Sequence, residues 1–119
     1  MSTTPSVPIE LRVAKDKKSL RVVFSEALSY EFPAEMLRVL SPSAEVQGHS
    51  PAQRQTIGGK KNVEIMSVEA IGNYAIRITF DDMHNTGIFS WAYFLELGKE
   101  KESRWNEHLA ELEAKGLSR

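Results

Sequence analysis

The stretch GNYAIRITFDDMHNTGIFSWAYFLELG, which runs from Gly72 to Gly98, constrains the fold more than any other part of the chain. Its opening Gly72-Asn73 pair tolerates positive φ and predicts a two-residue hairpin turn. Apolar residues then alternate over residues 74–80, the period that places one face of a strand on a core. After an acidic corner and a brief return to strand, Ser90 favours the start of a helix and Gly98 favours its end.

An earlier segment repeats this pattern. Alternating apolar residues at 9–13, 20–24 and 28–32 predict the three strands of a meander. Pro33 suits the first position of a helix that we expect to end near Leu40. With one inserted residue, RVVFSEALSYEFPAEMLRVL aligns with RITFDDMHNTGIFSWAYFLELG. The likeness predicts two units, each made of a strand, a corner, a second strand and a helix. It arises either from duplication or because every hairpin-helix unit needs alternating apolar residues followed by a helix cap.

Three segments complete the chain. Residues 41–62 show no sustained period and predict a long loop, which is the first place to look for a functional site. Residues 63–71 predict a strand whose apolar phase changes near Met66, where a bulge is expected. Residues 99–115 predict a helix, with Gly116 as its stop. This helix is expected to dock through an apolar stripe with one histidine beside it: Trp105, Leu109, Leu112 and His108.

Together these elements predict an α+β fold with a single core, which suits a chain of 119 residues. The strands are expected to form an antiparallel, meander-type sheet of about six strands in two strand-strand-helix units, followed by a C-terminal helix. We assign residues 1–8 to a disordered N-terminal tail and residues 9–98 to the domain. Residues 99–119 are then an amphipathic helix packed on that domain.

Charge and composition exclude several classes of function. Fifteen basic and sixteen acidic residues give a net charge of -1, which disfavours a nucleic-acid partner. No apolar run reaches the ~18 residues of a membrane span, and the first residues do not resemble a secretory signal, so a cytoplasmic location is expected. The absence of cysteine removes disulfides, thiol nucleophiles and cysteine zinc sites.

Three pieces of the chain are similar to the gamma-butyrobetaine hydroxylase-like N-terminal domain: MLRVLSPSAEVQGHSP, GNYAIRITFDDMHNTGIFSW and YFLELG. The resemblance covers about Val7 to Gly98. It implies a small α+β domain of the kind found alone in small bacterial proteins, at the front of carnitine-pathway oxygenases and attached to iron-sulfur carrier ATPases. The catalytic iron site of those oxygenases lies in a separate, larger domain, so their iron-binding residues cannot be transferred to this chain.

In the oxygenases the resemblance also implies a structural zinc ion, held by three cysteines and a histidine. The cysteine positions fall on Ser41, Ser43 and Val46, and the histidine matches His84. Neither serine nor valine binds zinc as a thiolate does, so three of the four ligands are replaced. We therefore expect no structural zinc and a fold held by packing.

Four residues, His84 among them, are candidates for a different metal site: His84, His49, Asp81 and Asp82. They would approach one another if the long loop and the acidic corner met between units packed side by side. The opposing interpretation is that the two aspartates only form a turn and that His84 is what remains of the lost zinc site. No cofactor is expected, and zinc or iron is the metal to test.

A basic turn provides the candidate partner-binding residues Arg54, Lys60 and Lys61. The run GGKK suggests a phosphate loop, but the first glycine, the following Ser or Thr and the preceding buried strand of that motif are missing. The run is therefore interpreted as an exposed turn that either contacts an acidic partner surface or is simply solvated.

The leading hypothesis is a non-catalytic accessory or protein-interaction module, because no nucleophile elbow, phosphate loop or complete metal set is present. The resemblance implies a link to iron-sulfur or oxygenase metabolism. The alternative is a metal-binding domain built on His84. The third hypothesis is a small-molecule enzyme, which would need a pocket lined by His84, Asp82 and Arg77. We expect a protein partner and neither a nucleic-acid nor a membrane partner, and the sequence does not predict the oligomeric state.

Overall fold

The computed structural model describes residues 7–48 and 55–119. The first unit of the chain is an antiparallel meander followed by a helix: β1 (Glu10–Val13), β2 (Ser19–Ser25), β3 (Leu28–Pro33) and α1 (Ala34–Val39). The short helix α2 (Ala44–Gln47) follows it. The second unit has the same order of elements: β4 (Ile65–Ile71), β5 (Ala75–Phe80), β6 (Ile88–Ser90) and α3 (Trp91–Lys99). The helix α4 (Lys101–Ala114) comes last.

The strands of each unit form one three-stranded antiparallel sheet, in the order β1-β2-β3 and β4-β5-β6. The predicted α+β class, with about six strands in two units and a C-terminal helix, is therefore confirmed. The expected bulge in β4 is also present, because its register with β5 shifts between Ile65 and Ser67. The difference is that the six strands form two sheets instead of one.

A single cluster of phenylalanines joins the two units. Phe32 of β3 and Phe89 of β6 are fully buried, as is Phe94 of α3. The ring centroid of Phe94 lies 5.6 Å from that of Phe32 and 5.6 Å from that of Phe89. Neither unit buries its apolar face alone, because the aromatic residue of α3 fills the space between the sheets.

Two predicted turns differ from the structure. Ile71 pairs with Ala75, so the β4–β5 hairpin has a three-residue loop that includes the exposed Tyr74. Gly72 takes the positive φ of 55° in that loop. Gly98 does not end α3, which continues to Lys99. A Cβ at Gly98 would lie 2.5 Å from the Tyr30 ring, so this glycine permits close packing of α3 on β3.

Three further predictions need correction in detail. The long loop contains α2, whose Val46 is buried and holds this segment against the core. The apolar residues of β1 lie on the core face but are only partly covered, because β1 is at the edge of its sheet: Leu11 packs against the core, whereas Val13 is exposed. On α4 the fully buried residues are His108 and Leu112, whereas Leu109 is only half-buried.

Helix α4 ends as the sequence predicts. Gly116 takes a φ of 68°, and the amide of Leu117 donates to the Leu112 carbonyl while that of Gly116 donates to the Glu113 carbonyl. This double hydrogen bond is a Schellman motif, for which glycine is the favoured residue. In the part of the chain that the structure describes, no helix combines the length and the apolarity that crossing a bilayer requires.

Candidate functional site

The structure brings together the residues at three of the four positions that the resemblance assigns to zinc. Nε2 of His84 lies 3.1 Å from Oγ of Ser41 and 3.4 Å from Oγ of Ser43. Ser41 comes just after α1 and Ser43 just before α2, while His84 follows the corner that ends β5. All three side chains are buried, and only 6% of His84 is exposed. The cluster is therefore closed to solvent and is made of neutral hydroxyls around an imidazole.

The fourth position, Val46, lies one helical turn beyond Ser43. Its amide donates to the Ser43 carbonyl at 3.1 Å, and its side chain is fully buried. The Gln47 side chain in turn donates to the Ser41 carbonyl at 2.9 Å. These contacts hold the segment after α1 in place by hydrogen bonds and apolar burial.

The acidic corner positions His84 through a tight turn. The amide of Met83 donates to the Phe80 carbonyl at 2.9 Å, and the amide of Phe80 donates to the His84 carbonyl at 3.0 Å. Met83 takes a φ of 73°, the left-handed conformation that glycine usually provides at this place in a three-residue hairpin loop. Asp82 completes the turn by accepting a hydrogen bond from the His84 amide at 3.1 Å.

Asp82 is the centre of a charged network beside the cluster. Oδ2 of Asp82 lies 2.7 Å from Nε of Arg38 and 2.7 Å from Nζ of Lys60. Burial by itself raises the pKa of this carboxyl, but the hydrogen bonds from Lys60, the His84 amide and Arg38 together lower the pKa to about 2. Both carboxylate oxygens thus already accept hydrogen bonds, and two cations offset the charge.

Asp81 has a structural contact of its own. Its Oδ1 accepts from the Glu64 amide at 3.1 Å, and its own amide donates to the Glu64 carbonyl at 2.9 Å. His49 lies outside the described residues, so the predicted approach of His49 to His84 stays a prediction. Within the described ranges 7–48 and 55–119, no group of three or more histidine, aspartate or glutamate residues is arranged to hold a metal ion.

The basic turn forms one side of a pocket of about 310 Å³. Lys60, Lys61 and Arg119 line this pocket together with the two aspartates of the corner. We call it the basic pocket. Arg54, the third basic residue predicted from the sequence, lies outside the described residues. The sequence analysis missed Arg119, which reaches the pocket only because the segment after α4 folds back over the domain.

Arg119 is held by two contacts with the rest of the domain. Its guanidinium donates to the buried Glu35 carboxylate at 2.9 and 3.2 Å, and it lies 5.7 Å from the Trp105 ring centroid. The Glu35 contact raises the pKa of Arg119. Nothing in the sequence pattern links residues 35 and 119, since the pair depends on how α4 packs.

Gly87 is the second residue that the sequence analysis missed. A Cβ at this position would overlap Oγ of Ser41 and would lie 3.1 Å from the Phe89 ring. The glycine therefore permits the backbone before β6 to approach the serine–histidine cluster. Its only sequence signal is a glycine between the acidic corner and a short strand.

Arg77, the third residue of the enzyme hypothesis, pairs across the second sheet. It lies on β5 opposite Glu69 of β4, and Nη1 of Arg77 is 3.1 Å from Oε1 of Glu69. The basic pocket, which contains Asp82, is lined by neither His84 nor Arg77.

Comparisons with known proteins agree with the resemblance. A family model described as gamma-butyrobetaine hydroxylase-like, N-terminal, matches residues 11–95. One NMR solution structure is 44% identical with a TM-score of 0.81, and the match covers 95% of this chain and 89% of that chain. A second NMR structure is 35% identical with a TM-score of 0.79, covering 100% of this chain and 90% of that one.

A crystal structure at 1.93 Å extends the comparison to a named group of proteins. It is of a protein with unknown function that belongs to the DUF971 family, from Acidithiobacillus ferrooxidans. It is 31% identical to this chain with a TM-score of 0.66, and the match covers 82% of this chain and 98% of that one. No curated protein matches the chain. The extent of the family match and the identity of these structures show that the chain belongs to the gamma-butyrobetaine hydroxylase-like, N-terminal family.

Proposed function

We propose that this protein is a non-catalytic accessory module that binds an acidic segment of a protein partner in the basic pocket. The observation that carries the proposal is the charge of this pocket. Lys60, Lys61 and Arg119 line it together with the carboxylates of Asp81 and Asp82, so the lining carries one net positive charge. Asp82 is paired with Arg38 and Lys60, and Arg119 with Glu35. Lys61 is exposed at the pocket rim. An incoming carboxylate would therefore meet a net positive charge.

Burial of the serine–histidine cluster supports a non-catalytic role. Ser41 and Ser43 lie 3.1 and 3.4 Å from Nε2 of His84, but Ser41 is fully buried and Ser43 nearly so. A nucleophile must reach the reacting atom of a substrate, and a general base must lie within hydrogen-bond distance of the proton that it removes. The cluster has no such access and instead joins the two units of the fold.

The family relation supports the metabolic setting of the proposal. Similar domains accompany carnitine-pathway oxygenases and iron-sulfur carrier ATPases, so we propose an accessory role in oxygenase or iron-sulfur metabolism, in the cytoplasm. In this role the module would hold a partner through charge and would leave the chemistry to that partner.

The test uses a defined acidic probe, a peptide containing six consecutive glutamates, titrated into the ¹⁵N-labelled chain. We expect amide shifts centred on residues 59–62, and weaker binding at higher salt because exposed charges are screened. The double variant Lys60→Ala/Lys61→Ala should bind at least tenfold more weakly. The matched control Lys15→Ala/Lys18→Ala removes the same charge from an exposed turn and should bind like the wild type.

Two results would contradict the proposal. One is the absence of localised shifts at millimolar peptide. The other is an equal loss of binding in both double variants, which would show that only the overall charge of the protein matters.

Metal binding stays the alternative function, and His84 is the observation that favours it. The imidazole lies between segments that the two units contribute, at the position of the family's histidine ligand. A site would need further ligands, with His49, Asp81 and Asp82 as the candidates. Metal analysis of the untagged chain decides between the functions: stoichiometric zinc or iron that His84→Ala removes would establish metal binding. The absence of both metal and any shift in melting temperature on adding Zn²⁺ or Fe²⁺ would refute it.

A further inference from the structure

The edge strand β1 carries an apolar stripe that the described residues leave uncovered. Leu11 and Val13 share one face of β1, and Ile9 and Val7 precede them at the same spacing just before the strand. Val7 is 55% exposed, Ile9 70% and Val13 37%, while Leu11 is half-buried. An exposed apolar row on an edge strand is a recognised risk for association with another strand.

The stripe continues the buried face of the first sheet. Leu11 pairs with Val22, and Val13 pairs with Leu20, and both partners on β2 are fully buried. Opposite residues of an antiparallel pair share one face of the sheet, so the core surface extends onto β1 and ends there in solvent. A further strand beside β1 would extend the same face and cover part of the stripe.

The free edge of β1 also has backbone groups available for pairing. The amide of Ala14 donates to the Ser19 carbonyl of β2. Hydrogen bonding alternates along an antiparallel strand, so Leu11 and Val13 direct their amides and carbonyls away from β2. The Ile9 amide donates to the Val23 carbonyl at 2.7 Å and is not available at this edge. Pro8 has no amide hydrogen, which limits the length of chain that another strand can join.

The opposite face of β1 shows which strand fits this edge. Glu10 and Arg12 lie there, exposed and 2.6 Å apart in an ion pair, and Arg12 is directly opposite Arg21 of β2, which pairs with Glu31 at 3.3 Å. Like charges opposite one another destabilise a sheet. A strand that joins this edge must therefore avoid placing a further basic residue opposite Arg12.

We propose that two copies of this chain associate through β1, in a two-fold antiparallel pairing centred on Leu11. In this register Glu10 of each copy lies opposite Arg12 of the other, and Ile9 lies opposite Val13. A pairing centred on Glu10 or on Arg12 would instead place like charges opposite each other. A shift by one residue would place Leu11 opposite Arg12, so only the Leu11-centred register matches both faces.

The dimer would have one continuous six-stranded sheet, formed by β1, β2 and β3 of both copies. Its interface would be isologous, as in most homodimers. The paired edge is short, so we expect an equilibrium between monomer and dimer that depends on concentration. The proposal does not depend on the proposed function, because the basic pocket is built from other residues.

Exchanging the charges of β1 tests the pairing. Self-association of each variant is measured by sedimentation of the whole chain at a series of concentrations. Glu10→Arg and Arg12→Glu should each weaken self-association at least tenfold, since each places like charges opposite one another. An equimolar mixture of these two variants should dimerise again, because every arginine then faces a glutamate. The double variant Glu10→Arg/Arg12→Glu should also recover dimerisation. Far-ultraviolet circular dichroism confirms that each variant is folded.

Disulfide trapping tests the register. Leu11 lies on the two-fold axis, where a hydrogen-bonded pair places Cα atoms about 5.5 Å apart, within the range that a disulfide spans. The chain has no cysteine, so Leu11→Cys should form a covalent dimer on mild oxidation, whereas the exposed α4 control Ser103→Cys should form at least tenfold less. A monomer at all concentrations, failure of the mixed variants to associate, or equal crosslinking of the two cysteine variants would each overturn the proposal.

Discussion

Ser41 and His84 are 43 positions apart in the sequence, yet Oγ of Ser41 lies 3.1 Å from Nε2 of His84. Each residue comes from a different unit of the fold, so this contact joins the end of α1 to the corner after β5. Ser43 lies against the same nitrogen at 3.4 Å. The positions that the family resemblance assigns to zinc are thus brought together here without their thiolates.

The first prediction is that returning the cysteines creates a zinc site. Ser41→Cys/Ser43→Cys/Val46→Cys, combined with His84, provides three thiolates and one imidazole, a ligand set typical of structural zinc. We expect one Zn²⁺ per chain. At Zn²⁺ concentrations of 1,000 times the dissociation constant, binding would raise the free energy of unfolding by about 4 kcal/mol. Metal analysis and denaturant unfolding measure the two effects.

The control removes the histidine from the same background. His84→Ala in the triple-cysteine variant should weaken zinc binding, and Co²⁺ absorption should then lose the pattern of a four-coordinate site. Equal zinc content with and without His84 would show that the cysteines bind metal without the geometry described here.

The second prediction concerns Gly87. In Gly87→Ala the new Cβ would overlap Oγ of Ser41 and press on the Phe89 ring. Over-packing of this kind costs about 1–3 kcal/mol of the free energy of unfolding. In a Ser41→Ala background the added methyl group should cost less, because the overlapping oxygen is gone. Urea unfolding of the four proteins gives the coupling energy, and additive effects would contradict the packing described here.

Much of the fold could be predicted from local patterns. Alternation placed Phe24 and Phe80 on the buried faces of their strands, and both are buried. Ser90 caps α3 by accepting from the Tyr93 amide at 3.0 Å, as its position before an apolar helix indicates. These features depend on residues within a few positions of one another, where the periods of strand and helix apply.

The errors arose where distant segments decide the outcome. The alternation of β1 predicts a buried face, but Ile9 is exposed because β1 lies at a sheet edge. Gly98 resembles a helix stop, but the packing of Tyr30 requires a glycine there. In the candidate site, the resemblance identified Ser41 and His84, whereas Gly87 could be recognised only from the three-dimensional contact.

The third prediction concerns the left-handed residue of the acidic corner. Met83 is exposed and has a φ of 73°, a conformation that costs an ordinary side chain about 1 kcal/mol relative to glycine. Met83→Gly should therefore raise the free energy of unfolding by about 0.5–1 kcal/mol. The control Met66→Gly changes an exposed methionine at the bulge of β4 that does not have a positive φ, and it should lower the free energy of unfolding by about 0.5–1 kcal/mol. A loss of stability in both variants would show that Met83 is not strained.

The fourth prediction is a loss of stability in acid that depends on Asp82. Its pKa is lowered from 3.8 to about 2 in the folded protein, so its stabilisation is present above pH 4 and is lost as the pH falls towards 2. At 1.36 kcal/mol per pKa unit the shift sets an upper limit on the order of 2 kcal/mol, and solvent screening of these partly exposed charges reduces the loss to about 1 kcal/mol. Urea unfolding across pH 2–7 should show this decline in the free energy of unfolding of the wild type and a smaller decline in Lys60→Ala. In Asp82→Asn the part of the decline that comes from this carboxyl should be absent. Parallel declines in all three proteins would show that the pairing with Arg38 and Lys60 does not set the pH dependence.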